Sequence, residues 1–194
     1  MKHIMLDLET MSSKPDAPIV AIGAVFFEPS TGEIGAEFEE IIDLRSSSQY
    51  GKIEADTVLW WMKQSTAARD VITQKIASDL IDGLIEFSDW VGQIESPKDR
   101  IVWGNGSGFD NVILRSAYER LGITAPWMHY NDRDVRTIVD LGRALLGFDP
   151  KKDMPFTGER HNALDDAIHQ AKYVSAIYQA LAVNAQPVKK VGAA

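Results

Sequence analysis

The chain has 194 residues, 45% of them hydrophobic and 25% charged, which is typical of one folded globular domain and unlike a disordered or collagenous chain. It contains no cysteine, so disulfides, cysteine-ligated zinc and a thiol nucleophile are excluded. The formal net charge of −8 argues against a broad basic face for duplex nucleic acid, but it leaves bound cations out and does not exclude nucleic acid altogether.

The N-terminal part of the chain has the pattern of three consecutive strands. Residues 3–8 are apolar and end in acids, residues 19–27 are β-branched and aromatic, and residues 35–44 alternate apolar with polar side chains. The turn-forming residues 29–32 predict an antiparallel hairpin between the second and third strands, and hence a mixed sheet.

Beyond Arg45 the apolar residues take helical spacing, which predicts two or three helices before residue 100. Two apolar faces carry this prediction: Val58, Trp61 and Met62, then Leu80, Leu84, Phe87 and Val91.

The remaining chain alternates strands and helices. Residues 100–103 form a buried type of strand, followed by a glycine-rich loop and a helix that Gly122 ends. A weak strand at 127–130 precedes a helix from the N-cap Asp134 to residue 146. This alternation indicates an α/β fold.

The last part of the chain is a loop, a helix and a tail. Residues 147–160 have loop composition, and the amphipathic helix that starts after His161 closes the domain. We predict a single domain over residues 1–182 and a flexible C-terminal tail over 183–194.

The chain shows no targeting or membrane signal. Its first ten residues, MKHIMLDLET, carry acids by the seventh position and lack the apolar run of a signal peptide, and no stretch reaches the roughly 18 apolar residues of a membrane span. We therefore expect a cytoplasmic protein without a membrane partner.

Three short segments carry side chains suited to catalysis. Asp7 and Glu9 alternate on the first strand and so project from the same face, where a divalent cation would relieve their repulsion. Such oxygen ligands suit Mg²⁺ or Mn²⁺ better than zinc. Taken alone, the pair is also typical of an exposed strand with solvated acids.

The second segment is the glycine-rich loop Gly104–Asn111. Its glycines run G-x-G-x-G, which is neither the dinucleotide-binding nor the P-loop pattern. Asp110 is therefore either a metal ligand or an acid that the dipole of the following helix favours.

The third segment is HNALDD, residues 161–166. Asn162 and Asp165 have the spacing of an N-cap and its third helical residue, which leaves Asp166 for another task and places His161 outside the helix. A loop histidine taken alone is more often idle than catalytic.

The order Asp-x-Glu, then Phe-Asp, then His-x-x-x-x-Asp resembles the three motifs of the DEDDh 3′-5′ exonucleases, whose fold is RNase H-like. That superfamily includes the proofreading subunit of bacterial DNA polymerase III, oligoribonuclease and RNase T. Three segments, DLETM (7–11), LWWMKQS with Ala68-Arg69 (59–69) and RDVRT (133–137), resemble the phage exonuclease A branch and its bacterial 3′-5′ exoribonuclease relatives. The likeness spans about residues 3–180.

The resemblance implies an RNase H-like α/β domain with a mixed sheet of five to six strands flanked by helices. It implies a 3′-5′ exonuclease that acts on the 3′ ends of single-stranded DNA or RNA and releases nucleoside 5′-monophosphates. The implied metal ligands, for two Mg²⁺ or Mn²⁺ ions, are Asp7, Glu9, Asp110 and Asp166. His161 is the implied general base, since an imidazole titrates near neutral pH.

Further residues are predicted to contact substrate. Trp60, on the polar side of its helix, is either a stacking platform for a base or packed under the 45–55 loop. The other predicted contacts are Leu8, Thr10, Met11, Asn111 and Arg136. Two alternative functions stay open, a catalytically inactive RNase H-like nucleic-acid-binding module and a metal-dependent nucleotide phosphohydrolase. Because members of the superfamily often dimerise, a homodimer stays open beside a monomer.

Overall fold

The computed structural model describes residues 1–74 and 76–185, and its centre is a five-stranded mixed sheet. Strand β1 (His3–Thr10) pairs antiparallel with β2 (Ile19–Glu28), which pairs antiparallel with β3 (Glu33–Ile41). On the other side of β1, β4 (Ile101–Gly104) and β5 (Asp132–Asp134) add in parallel, so the order is β3-β2-β1-β4-β5. The predicted hairpin and mixed sheet are confirmed.

Eight helices occur in the described part of the chain. They are α1 (Leu44–Ser47), α2 (Ala55–Trp61), α3 (Thr66–Thr73), α4 (Leu80–Val91), α5 (Asp110–Arg120), α6 (Val135–Leu146), α7 (Pro150–Asp153) and α8 (Ala163–Asn184). No helix in the described residues is long and apolar enough to cross a membrane.

The sheet has a hydrophobic core on each face, and the alternation of β1 divides its side chains between them. Ile4, Leu6 and Leu8 join a core that includes side chains of α4 and α5. Met5 points to the other face, into a core formed with α6 and α8. The residues that continue the Met5 row, Asp7 and Glu9, therefore face α8.

Gly23 lets the start of α8 lie directly on the sheet. It is the partner of Asp7 across the β1–β2 ladder, and a Cβ atom at this position would overlap the backbone of Ala163 and Leu164. Only glycine therefore allows the first turn of α8 to approach the row of acids on β1 this closely.

Several predicted elements need correction. No strand forms at 127–130. A 3₁₀ turn spans His129–Asn131, and the strand follows it at β5. Met62 is 65% exposed, because its backbone angles are still helical and its side chain therefore lies about 100° around the axis of α2 from the buried Trp61. Helix α8 runs to Asn184, two residues into the predicted tail, and residues 186–194 of that tail lie outside the described residues.

Candidate active site

Four carboxylates from three parts of the fold line one cavity of about 460 Å³. Asp7 and Glu9 come from β1, Asp110 begins α5, and Asp166 lies in the first turn of α8. The cavity lies where β1 and β4 end and α5 and α8 begin, which is why residues more than 150 positions apart in the chain can meet. The structure thus brings together all four residues predicted as metal ligands.

Single hydrogen bonds orient three of these carboxylates. The backbone N–H of Leu8 donates to Asp110 Oδ1 at 3.2 Å, which joins the start of α5 to β1. Gln170 Nε2 donates to Asp7 Oδ1 at 2.8 Å, and the backbone N–H of His161 donates to Asp166 Oδ2 at 2.8 Å. These three acids are therefore fixed in direction, but their charge is largely uncompensated.

Burial and mutual repulsion disfavour the ionised forms of these acids. Burial raises the pKa of Glu9 to about 9, and the neighbouring Asp166 and Asp110 add to the effect. Burial also raises the pKa of Asp110 to about 7 and raises the pKa values of Asp7 and Asp166. Within the described residues, none of the four forms an ion pair with a lysine or arginine.

A divalent cation would supply the missing positive charge. Oxygen atoms of Glu9 and Asp166 and a ring nitrogen of His161 lie within 4.8 Å of one another, close enough to share an ion. A set of donors that is mostly carboxylate oxygen suits Mg²⁺ or Mn²⁺. The residues present therefore fit a metal centre of the kind predicted.

His161 stands beside the acids on a bend of the backbone. Its φ of 65° is left-handed, so it lies outside α8, as predicted. Its ring meets that of Trp60 edge to face, with the ring centroids 5.0 Å apart. Trp60 is 40% exposed and also lines the cavity, so it is not packed away under the 45–55 loop.

The predicted cap at the start of α8 is confirmed. Asn162 Oδ1 accepts from the backbone N–H of Asp165 at 2.9 Å. The side chain of Asp165 turns back to accept from the backbone N–H of Glu159 at 2.8 Å, next to Gly158, where a Cβ atom would overlap the Asp165 carboxylate. Asp165 therefore has a structural role, and Asp166 is the acid that reaches the cavity.

The predicted substrate contacts divide into two groups. Leu8, Thr10, Trp60 and Arg136 line the cavity. Met11 does not, because it is buried against Val20, Trp61 and Ala68 in a separate small core.

Asn111 is also placed differently from the prediction. It is fully buried, and its Nδ2 donates to Val102 O at 3.1 Å and to Asp132 Oδ1 at 3.0 Å. Because it lies about 100° around α5 from Asp110, it faces the interior rather than the cavity.

Gln170 is the most important side chain that the sequence analysis missed. It is 4% exposed and contacts Asp7, and its buried Oε1 has no hydrogen-bond partner among residues 1–74 and 76–185. Its position one helical turn after Asp166 was the available signal, since i and i+4 share a helix face. Phe109, which also lines the cavity, belongs to the Phe-Asp motif, whereas the other missed lining residues carry no comparable pattern: Ser12, Ser13, Thr57 and Asn105.

Comparison with known proteins agrees with this geometry. The profile of the 3'-5' exoribonuclease Rv2179c-like domain matches residues 2–178. The exodeoxyribonuclease of Enterobacteria phage T4 is 26% identical over 163 residues, which cover 72% of this chain and 71% of that protein.

Solved structures show the same fold. Cell-death related nuclease 4 (CRN-4) superimposes with a TM-score of 0.64 at 13% identity over 94% of this chain, and this chain spans only 64% of its length. The nuclease domain of 3'hExo, a DEDDh family member bound to rAMP, gives 0.57 at 14% identity over 94% of this chain and 92% of that domain. The predicted RNase H-like α/β fold is therefore confirmed.

Proposed function

Since the chain belongs to the 3'-5' exoribonuclease Rv2179c-like family and is a 3′-5′ exonuclease, we propose that it removes nucleotides from the 3′ ends of single-stranded DNA or RNA and releases nucleoside 5′-monophosphates. One observation carries the proposal: four carboxylates and one histidine from distant parts of the chain converge on a single open cavity. The rAMP bound to the similar 3'hExo domain is consistent with a nucleoside monophosphate as product.

We propose that Asp7, Glu9, Asp110 and Asp166 hold two Mg²⁺ or Mn²⁺ ions. When bound, such ions polarise the scissile phosphate, lower the pKa of water and stabilise the leaving 3′ oxygen. The protein's part is to hold four acids close together against their repulsion. The two core layers, the Leu8 and Gln170 hydrogen bonds and the close approach at Gly23 accomplish this.

His161 is proposed as the general base that accepts the proton of the attacking water. The hydrogen bond from its backbone N–H to Asp166 ties the base to one of the acids, and the ring of Trp60 limits its rotation. A base of this kind contributes about 10²–10⁴ to the rate. Since His161 also lies within ligand distance of Glu9 and Asp166, its removal must be tested for metal binding as well as for turnover.

A single strand suits the cavity better than a duplex. Trp60 presents a partly exposed ring at the cavity and Arg136 a cation, whereas the chain as a whole carries a net charge of −8. A stacked base is worth about 1–3 kcal/mol, and duplex binding normally requires an extended cationic surface.

The experiment is a gel assay of 5′-labelled single-stranded DNA and RNA of one sequence, with Mg²⁺, Mn²⁺ or a chelator. We expect a metal-dependent ladder that shortens from the 3′ end. His161→Ala should lose it while retaining metal affinity by calorimetry, and His129→Ala, an exposed histidine away from the cavity, serves as the control.

Two outcomes would favour the alternatives. Binding of both strands without degradation would indicate an inactive nucleic-acid-binding module. Inhibition by mononucleotides but not by oligomers, with hydrolysis of free nucleotides, would indicate a phosphohydrolase.

A further inference from the structure

A second, smaller cavity of about 190 Å³ adjoins the active site between α6, α7 and α8. It shares Asn105 and Arg136 with the catalytic cavity, so the two form one continuous surface. Its walls also include Arg143, Lys151 and Tyr173, together with one carboxylate, that of Asp140. Because ligand pockets are usually about 300–1,000 Å³, this volume suits a small group rather than a whole nucleoside.

The positive charges on its walls are unequally neutralised. Arg143 is engaged by Asp140 at 3.4 Å and by Asp149 at 3.2 Å. Arg136 and Lys151, in contrast, have no carboxylate within 4.0 Å among the described residues. The cavity therefore has two cations available for an anionic ligand.

Arg136 lies at the boundary between the two cavities. Its guanidinium packs on the backbone of Gly106, where a Cβ atom would lie 3.1 Å from Cζ, and the φ of Gly106 is +98°. Its charge reaches Asp110, whose pKa it lowers against the larger effect of burial. Arg136 can therefore contact a group in either cavity.

We propose that the second cavity is a phosphate subsite, which takes a phosphate of the substrate on the 5′ side of the scissile bond. The proposal rests on the proposed function and adds the requirement for a second phosphate. An arginine fork beside a lysine ammonium is the usual pair of groups for binding a phosphate. This phosphate is either an internal diester of a longer strand or the 5′-terminal phosphate of a short fragment.

Two neighbouring lysines provide a matched test. Lys151 lines the cavity, whereas Lys152 is 81% exposed and its ammonium lies 3.8 Å from Asp149. We expect Lys151→Ala to raise KM about 5- to 20-fold with little change in kcat, and Lys152→Ala to leave both near the wild-type values. The slope of log affinity against log salt concentration should fall by about 0.7 for Lys151→Ala alone.

The substrates separate the two sources of phosphate. A neutral methylphosphonate at the linkage 5′ of the scissile one should raise KM for long strands if an internal diester is bound. Removal of the 5′ phosphate from a dinucleotide should raise the KM for that dinucleotide if a terminal phosphate is bound. In either case the change in the substrate should not raise KM any further in the Lys151→Ala variant, because the phosphate contact is already lost.

Calorimetry with dinucleotides that carry or lack a 5′ phosphate needs no turnover and keeps the subsite test independent of activity. Equal affinities in this titration, together with equal KM values for both lysine variants, would overturn the subsite and leave the exonuclease proposal intact. Absence of degradation by the wild-type protein would overturn the exonuclease proposal instead.

Discussion

Asp132 and the four acids of the catalytic cavity differ in the hydrogen-bond donors that surround them. Asp132 accepts hydrogen bonds from Trp127 Nε1 at 2.7 Å, Asn111 Nδ2 at 3.0 Å and Arg115 Nη2 at 3.2 Å. The four acids of the catalytic cavity face one another, and only Asp7, Asp110 and Asp166 each accept a hydrogen bond from a side chain or another residue's backbone in the described part of the chain. Hydrogen-bond donors within the protein stabilise the charge of Asp132, whereas the charge of the four acids requires a bound cation.

This difference explains why adjacent residues have different roles. Asp110 and Asn111 are neighbours at the start of α5, yet Asp110 faces the other acids, whereas Asn111 donates a hydrogen bond to Asp132. Surrounding donors, rather than burial alone, therefore distinguish a structural carboxylate from a catalytic one in this fold.

The largest expected effect comes from removing the charge of one catalytic acid, Asp110, which we compare with removing the charge of Asp132. Asp110→Asn should lower kcat/KM by about 10³-fold or more, because it removes a metal ligand while its Oδ1 can still accept from Leu8. Asp132→Asn should retain most of the activity but lower the free energy of unfolding by about 1–3 kcal/mol, because the amide removes the charge that pairs with Arg115 and replaces one acceptor oxygen with a donor. Steady-state kinetics measures kcat/KM, and urea titration measures the free energy of unfolding. Equal loss of activity in both variants, with stability unchanged, would contradict the comparison.

The second expected effect is a pH dependence of the metal-free protein. Asp110 has an ordinary pKa of 3.8 that folding raises to about 7, and Glu9 one of 4.5 that folding raises to about 9. At a pH between the ordinary and the raised pKa of each acid, the folded state binds more protons than the unfolded state. The free energy of unfolding therefore falls as the pH rises through this interval. We expect the Tm measured with chelator to fall by several degrees between pH 5 and pH 9, and Mg²⁺ to remove most of this slope. The Asp110→Asn variant should show a smaller slope, and an unchanged one would argue against uncompensated charge at Asp110.

The sequence predicts those parts of the fold whose signals are local. Helix α6 begins after the N-cap Asp134 and ends at Leu146 as predicted, because its cap and its apolar face are both read from neighbouring residues. Strand β5 was missed because its sequence is Asp-Arg-Asp, and only parallel pairing with β4 makes it a strand. Met62 is exposed, contrary to the prediction, because the apolar pattern does not show how far around α2 the core extends beyond Trp61.

The site divides in the same way. The acids and His161 could be predicted because their spacing resembles known motifs, and the cap of α8 could be predicted from chemistry alone. The burial of Met11 could not, since it depends on Trp61 and Ala68, more than 40 residues away. The contact of Gln170 with Asp7 joins the two ends of the chain, and only the i+4 spacing from Asp166 pointed to it.

Gln170 provides the third prediction. Its hydrogen bond orients Asp7, and loss of such a partner typically weakens metal binding about 10- to 100-fold. We expect this loss in Mn²⁺ affinity for Gln170→Leu, measured by calorimetry. Gln179→Leu is the control, because Gln179 lies further along the same helix and donates to Pro29 O instead. Equal Mn²⁺ affinities in the two variants would show that Gln170 does not act on the acids.

The smallest expected effect concerns an ionisable group whose partner the protein does supply. Trp103 Nε1 donates to His3 Nδ1 at 2.9 Å, and this bond requires a neutral imidazole. Burial lowers the pKa of His3 below its ordinary 6.5, so the unfolded state binds the proton more readily. The contribution is complete above pH 6.5 and is lost as the pH falls through the lower, folded-state pKa.

We expect the free energy of unfolding to decrease over that interval as the pH is lowered. His3→Phe keeps a ring beside Phe27, whose centroid lies 5.6 Å from that of His3, but it cannot titrate, so this part of the pH dependence should disappear. Urea titrations with Mg²⁺ and with chelator should show the same His3-dependent decrease in the free energy of unfolding, because this group responds to protonation and not to a bound metal ion. If Mg²⁺ abolished this decrease, His3 would be coupled to the catalytic acids. The distinction between ionisable groups whose partner the protein supplies and those that require a metal ion would then be wrong.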